Sequence, residues 1–300
     1  MTGRHVLALL FALPIVAGCR ETPRAKAAQL AKVTQARRSE FNKRLAAVNA
    51  STQKDAPIAQ WLMPAQLREI SGMAMTSRGT VLAHDDNAGR ISEIDPKTGV
   101  LLRGFSLNGN QKEDFEAIAI AVNDIYLMAS DGKLFRFREG ADGQQVNFIV
   151  FNPGLKKECE FEGLAYEVDS TRLVMACKRL LDDKGSKELL LYRLPLPLNR
   201  STISAIHVPI QDVVGTNPWK GFRPSDITID PFTHNYVIIS SKEQGLVVLT
   251  PDGDVVRSVP LPGDHRQAEG VVITRDSILL ISDESNVKPA TITAYKWPLQ

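Results

Sequence analysis

Phe161-Glu162-Gly163-Leu164-Ala165 is one of five copies of a phrase in which a usually acidic residue precedes a small residue and an apolar strand. The others are Ile70-Ser71-Gly72-Met73-Ala74, Phe115-Glu116-Ala117-Ile118-Ala119, Pro224-Ser225-Asp226-Ile227-Thr228 and Ala268-Glu269-Gly270-Val271-Val272. The steps between copies are 45, 46, 63 and 44 residues. A repeat of this length, with several short strands in each unit, marks a β-propeller.

Each unit continues alike. An apolar second strand is expected at residues 80–83, 125–129, 173–177, 236–240 and 278–282. A third follows at 91–94, 134–137, 189–194, 246–250 and 291–297, and a fourth at 101–107, 146–151, 203–210 and 255–261. Their β-branched and aromatic content, with Gly, Asp and Pro at the joints, supports strands over helices. The last unit lacks a fourth strand. Residues 57–63, ahead of the first unit, resemble one. We therefore expect an all-β, five-bladed propeller at 57–300, closed by this N-terminal strand, which removes two exposed sheet edges. The long third step holds no sixth blade. Two strands of unit three fill part of it, and residues 182–187 and 212–222 read as polar loop.

The 300-residue chain has a formal charge of +2, so nothing in its balance points to nucleic acid. Its N-terminus is more informative. Arg4 and His5 precede an apolar run, residues 6–17, too short for a permanent span. The run ends Val16-Ala17-Gly18-Cys19, which resembles a bacterial lipobox. Residues 1–18 are then a lipoprotein signal peptide, and Cys19 carries lipid such as palmitate. The plainer alternative is an ordinary signal peptide with a chance cysteine. Several acyl chains anchor firmly, at roughly 0.8 kcal/mol per buried CH₂. Arg20 at the next position, by resemblance to lipoproteins of diderm bacteria, favours the outer membrane, with the protein facing the periplasm. Residues 19–56 read as a basic, partly helical tether with a thin stripe of Leu30, Val33, Phe41, Leu45 and Val48. The stripe suits a spacer helix or one that touches anionic lipid. Hairpin pairing in unit three brings Cys159 near Cys177, as a disulfide in an oxidising compartment or as two buried thiols.

In a propeller the first strand of each blade lines the central channel. Ser71, Glu116, Glu162, Ser225 and Glu269 should ring one mouth, with Asp85, Asp131 and Asp283 at the second-strand ends beside them. Carboxylates about 5 Å apart repel by about 3 kcal/mol per pair at an effective dielectric near 20. Protonation, basic neighbours such as Lys178 and Lys242, or a bound cation must offset this. Calcium takes six to eight oxygens, which makes Glu116, Glu162, Glu269, Asp85, Asp131 and Asp283 the candidate ligands. A salt-bridged ring that only stitches the blades together is the alternative. The histidines show no zinc spacing, and there is neither a Gly-x-Ser-x-Gly elbow nor a phosphate-cradling glycine loop.

The phrases Glu69-Ile70-Ser71-Gly72, Phe161-Glu162-Gly163-Leu164-Ala165-Tyr166 and Gln267-Ala268-Glu269-Gly270-Val271, with Ser282-Asp283-Glu284 after them, look like the SdiA-regulated family over about residues 57–297. The resemblance implies a five-bladed propeller, distantly like NHL-repeat proteins, with a proposed calcium site to which Glu116, Glu162 and Glu269 correspond. Gly132 and Arg179 stand where acidic residues are expected. A looser similarity to phytase-like esterases shares the Glu-Gly strand start. Two function classes follow. One is a calcium-dependent binding or scaffold module for an unidentified protein or small molecule. The other is a metal-assisted hydrolase of phosphate or ester substrates, with a mouth carboxylate or His84 handling protons.

Overall fold

The computed structural model describes residues 23–53, 55–109, 111–181, 187–285 and 289–299. The signal segment, Cys19 and residues 182–186 of the expected loop lie outside them. The described strands form five antiparallel blades. Their innermost strands are Ile70–Met75, Phe115–Ala121, Cys159–Glu167, Asp226–Ile229 and Ala268–Ile273, and each touches the next around a closed ring. Each pair of neighbouring blades clamps its own apolar cluster. Phe115, Phe161 and Tyr236 are fully buried there, and burial at about 25 cal/mol per Å² of apolar surface holds the ring together.

Ala59–Leu62 pairs antiparallel with the third strand of blade five, Thr291–Lys296, placing Ala59 opposite Ala294 and Trp61 opposite Ile292. Ile58 N–H to Ala294 O and Met63 N–H to Ala290 O, both 2.8 Å, extend the pairing at each end. The N-terminal strand thus closes the ring as expected.

Three features differ from expectation. The helix Pro23–Ala50 is more than a spacer. Phe41 and Val48 are buried against the closing strand, with Phe41 stacked on Trp61 at 5.9 Å between ring centroids. Gly99, at φ +63°, makes room for that indole, since a Cβ there would lie 2.3 Å from Trp61 Cγ. Residues 212–222 are not a purely polar loop. They begin inside a short helix, Ile210–Val214. Val213, Phe222 and Trp219 pack between blades three and four, which is where this stretch's apolar residues find cover. The outer strand of blade two is split. Phe148–Phe151 stays in its blade, while Gln145–Val146 joins blade one in parallel beside Ser106 and Leu107.

Cys159 and Cys177 sit on adjacent strands of blade three and are placed as a disulfide, with Cα atoms 5.8 Å apart.

Candidate functional site

The repeated phrase has a backbone counterpart. Ile70 pairs with Asp85 and Gly72 with His84, leaving Ser71 without a cross-strand partner. Register shifts at the same place exclude Glu116, Glu162 and Glu269 from their ladders. In blade four, the Ser225 N–H bonds to Ile239 O, although Ile239 already faces Asp226. The motif residue is therefore a β-bulge, which bends the strand and re-aims one side chain. The five bulges face one mouth.

The next residue in each copy is Gly72, Ala117, Gly163, Asp226 or Gly270. These lie where the inner strands come closest. A Cβ on Gly163 would be 3.0 Å from Asp226 Cα, and one on Gly270 would be 3.2 Å from Met73 Cγ. Small residues are needed for the ring to close. The exception, Asp226, is buried, and its carboxylate accepts the N–H of Ile227 in its own blade and of Val271 in blade five, each at 2.8 Å. Burial raises its pKa well above the ordinary range, against the pull of those amides. This layer forms the floor of the glutamate mouth.

Above the floor the three glutamates share one field. Burial first, then the charge of Glu162, pushes Glu116 and Glu269 up to about 9. Burial pushes Glu162 up to about 7 while Lys178 pulls it back. The Lys178 ammonium bonds to Glu162 Oε1 and lies 3.9 Å from Glu160. Ser71 Oγ donates to Glu116 Oε2 at 3.3 Å. Glu162 Oε2 is buried and accepts no hydrogen bond among the described residues.

A further set of acids stands two residues upstream of the bulge: Glu69, Asp114 and Glu160. Side chains two apart on a strand share a face, and that spacing from the repeated position is the sequence signal for this second set. Asp86 is pushed up to about 7 by burial, then by the charges of Glu69, Glu284, Asp85 and Asp114. Asp85 is raised by burial, and its Oδ1 accepts the Ala88 N–H. The other expected ligands turn elsewhere. Asp131 lies 3.2 Å from Lys133 and 3.6 Å from Lys156, and Asp283 holds His265 at 2.7 Å. Glu116, Glu162 and Glu269 are brought together, whereas Asp131 and Asp283 are not brought to them. His84 is buried and held neutral, at about 4, by burial.

The opposite side of the mouth is basic. A cavity of about 560 Å³ runs from Glu162 and Glu269 past Lys178 to Arg223, Lys242 and Arg266. Arg266 pairs with the exposed Asp264 at 3.2 Å, and Arg223 and Lys242 have no ion pair among the described residues. As arranged, no three His, Cys, Asp or Glu side chains of the described residues converge at metal-ligating distances. The arrangement offers proton-holding carboxyl groups on one side and free cations on the other.

No curated protein matches the chain. Among solved structures, the Myxococcus xanthus glutaminyl cyclase aligns over 80% of this chain and 94% of its own, with a TM-score of 0.55 at 12% identity. A luciferin-regenerating enzyme aligns over 82% and 97%, with a TM-score of 0.51 at 11% identity. Identity this low shows a shared fold alone. The model of the SdiA-regulated family matches residues 212–296, which hold blade four, the three consecutive strands of blade five and the Gln267-Ala268-Glu269-Gly270-Val271 phrase.

Proposed function

We propose that this propeller is an outer-membrane-anchored periplasmic lipoprotein whose glutamate mouth holds calcium and presents it, with neighbouring cations, to an anionic ligand. The observation that carries the cation reading is Glu162 Oε2, a buried oxygen without a hydrogen bond beside two carboxyl groups held up to about 9. Such oxygens need a proton or a cation. Hard carboxylate oxygens suit calcium, so the donor set fits the ion in kind, and binding would draw the three carboxyl groups closer than they now stand. Glu116, Glu162 and Glu269 would hold it, with Asp85 in the neighbouring acidic group. When bound, calcium supplies positive charge that polarises an anionic partner. Lys178 is the alternative counter-charge for the same glutamates. Arg223, Lys242 and Arg266 give the ligand its sign, since a carboxylate or phosphate ester fits them.

Calcium added at pH 7 should displace the protons on Glu116 and Glu269. Titration calorimetry in two buffers of different ionisation enthalpy should show binding with proton release. No binding, or binding without proton release, overturns the cation reading.

The second reading is a metal-assisted phosphoesterase or esterase, favoured by that same row of cations beside the glutamates. Among the described residues no Ser–His or Cys–His hydrogen bond stands at the mouth to serve as an activated nucleophile. Calcium-dependent turnover of p-nitrophenyl phosphate or acetate that is lost in Glu162→Gln would decide for the hydrolase.

The anchor rests on the lipobox sequence. No helix of the described residues is long and apolar enough to cross a membrane. Cys19→Ser should leave unprocessed or soluble protein on envelope fractionation. Normal processing and unchanged fractionation of this variant would sink the lipoprotein reading.

A further inference from the structure

We propose that the face opposite the glutamates is a binding site for a long-chain fatty acid. The channel opens there into a cavity of about 1140 Å³, somewhat above the roughly 300–1,000 Å³ of ordinary small-molecule pockets. All five blades line it through the far ends of their inner strands, among them Met75, Ile120, Tyr166, Ile229 and Ile273. The first four are only half-buried, although they are apolar or amphipathic; each packs on an inter-blade cluster and leaves part of its surface to the cavity. The cavity shares no lining residue with the one beside the glutamates, and its apolar strand ends stand among polar side chains such as Thr76, Arg78, Glu167 and Asp230.

Its rim repeats the apolar character. Val122 and Val168 line the funnel and are 75% and 62% exposed. Val122 also sits at φ +58°, a costly conformation for a β-branched residue. The two-residue hairpin between Ala121 and Asp124 imposes that conformation. The rim charges are mostly matched to one another. Arg38 pairs with Asp95 at 2.5 Å, Lys97 with Asp276 at 2.5 Å, and His234 with Asp169. Arg275 is exposed and has no ion pair among the described residues. A funnel with an apolar inner wall, a largely paired rim and one uncommitted cation at its edge matches a single-chain amphiphile with an anionic head.

The N-terminal helix brings the source of such chains close. Thr34 and Arg38 line the rim, and every residue from Ala27 to Val33 upstream of them is exposed, including Leu30 and Val33. Eleven helical steps separate Pro23 from Thr34, roughly 16 Å at the helical rise. Cys19 lies four residues further back, a reach of at most about 14 Å. A lipid on Cys19 would therefore place a bilayer within roughly 30 Å of the funnel. This last step rests on the anchor proposed above; the cavity argument does not.

The test is photolabelling of the full-length protein, in membranes and after solubilisation, with a diazirine-bearing palmitate, followed by peptide mapping. Label on peptides containing Met75, Ile120 or Ile229, displaced by excess unlabelled palmitate, is the expected result. Label elsewhere, or label that palmitate does not displace, overturns the proposal. Ile120→Asp and Ile229→Asp should cut funnel labelling by about tenfold. Arg275→Gln should weaken competition by palmitate and leave that by hexadecanol unchanged. Equal loss for both competitors would overturn the role of the head group. Should the aspartate variants fail to fold, the wild-type label map decides alone. Labelling of solubilised protein separates failure of this site from failure of the anchor, which the Cys19→Ser fractionation reads independently.

Discussion

Replacing Asp226 with alanine should lower the melting temperature by on the order of 10 °C. Its carboxylate is the cap of two buried amides, Ile227 N–H and Val271 N–H, and the second belongs to the next blade. Alanine removes the acceptor of both donors in a buried layer where the inner strands leave no other side chain to replace it, Gly163 and Gly270 being its nearest counterparts in the adjoining blades. An unsatisfied buried amide costs about 1–3 kcal/mol. Two such amides give about 2–6 kcal/mol, and about 2–4 °C follows per kcal/mol in a domain of this size. Asp226→Asn should fall between wild type and alanine, because the amide keeps one acceptor oxygen and turns its NH₂ toward the other donor. Thermal melts of the three proteins at one pH measure this. Melting curves that superimpose would show that the amides find other partners, and the account of Asp226 as an inter-blade tie would fail.

The two halves of this layer were unequally legible. The period and the apolar strand starts carried the propeller, because a strand buried on both faces must be apolar throughout. The closing strand was legible because Trp61 and its neighbours resemble the one strand that unit five lacks. The same property hid the funnel. Ile120, Ile229 and Tyr166 read as core, and nothing local separates an apolar residue that is fully covered from one that packs on a cluster and also borders a cavity. The bulges were hidden for a different reason. Ser71, Glu116, Glu162 and Glu269 were recognisable as a repeated position, but the absence of cross-strand partners is a property of pairing, which one strand's sequence does not display. Asp226 was legible only as the odd member of a small-residue column, and its capping of Val271 depends on the approach of a strand some 45 residues away. The helix Pro23–Ala50 shows the limit from the other side. Its sparse stripe suits a spacer until Trp61 supplies a surface for Phe41.

At the mouth, the expected result is a calcium-dependent melting temperature whose pH dependence reverses familiar carboxylate behaviour. Glu116 and Glu269 hold their protons up to about 9 and Glu162 up to about 7, against an ordinary value of 4.5. The folded chain therefore binds protons that the unfolded chain has already released. With chelator present, stability should be full below about pH 4.5 and fall as pH rises through about 7 to about 9. Calcium bound only to the native state adds RT ln(1 + [L]/Kd), about 2.7 kcal/mol at a hundred times Kd. That corresponds to a rise of roughly 5–10 °C for a domain of this size, and it should be largest at alkaline pH, where the carboxylates are charged. Glu162→Gln keeps the side chain's shape and removes the charge that both ions seek. It should weaken the calcium response and leave the fold intact. A salt-bridged ring makes the opposite forecast. Its stability would not respond to calcium, and Glu162→Gln would destabilise the protein by leaving Lys178 without its partner. Melts in chelator and in calcium, at pH 6 and pH 9, for both proteins separate the two: indifference to calcium with a destabilised Gln variant would retire the cation site and leave Lys178 as the counter-ion of the glutamate ring.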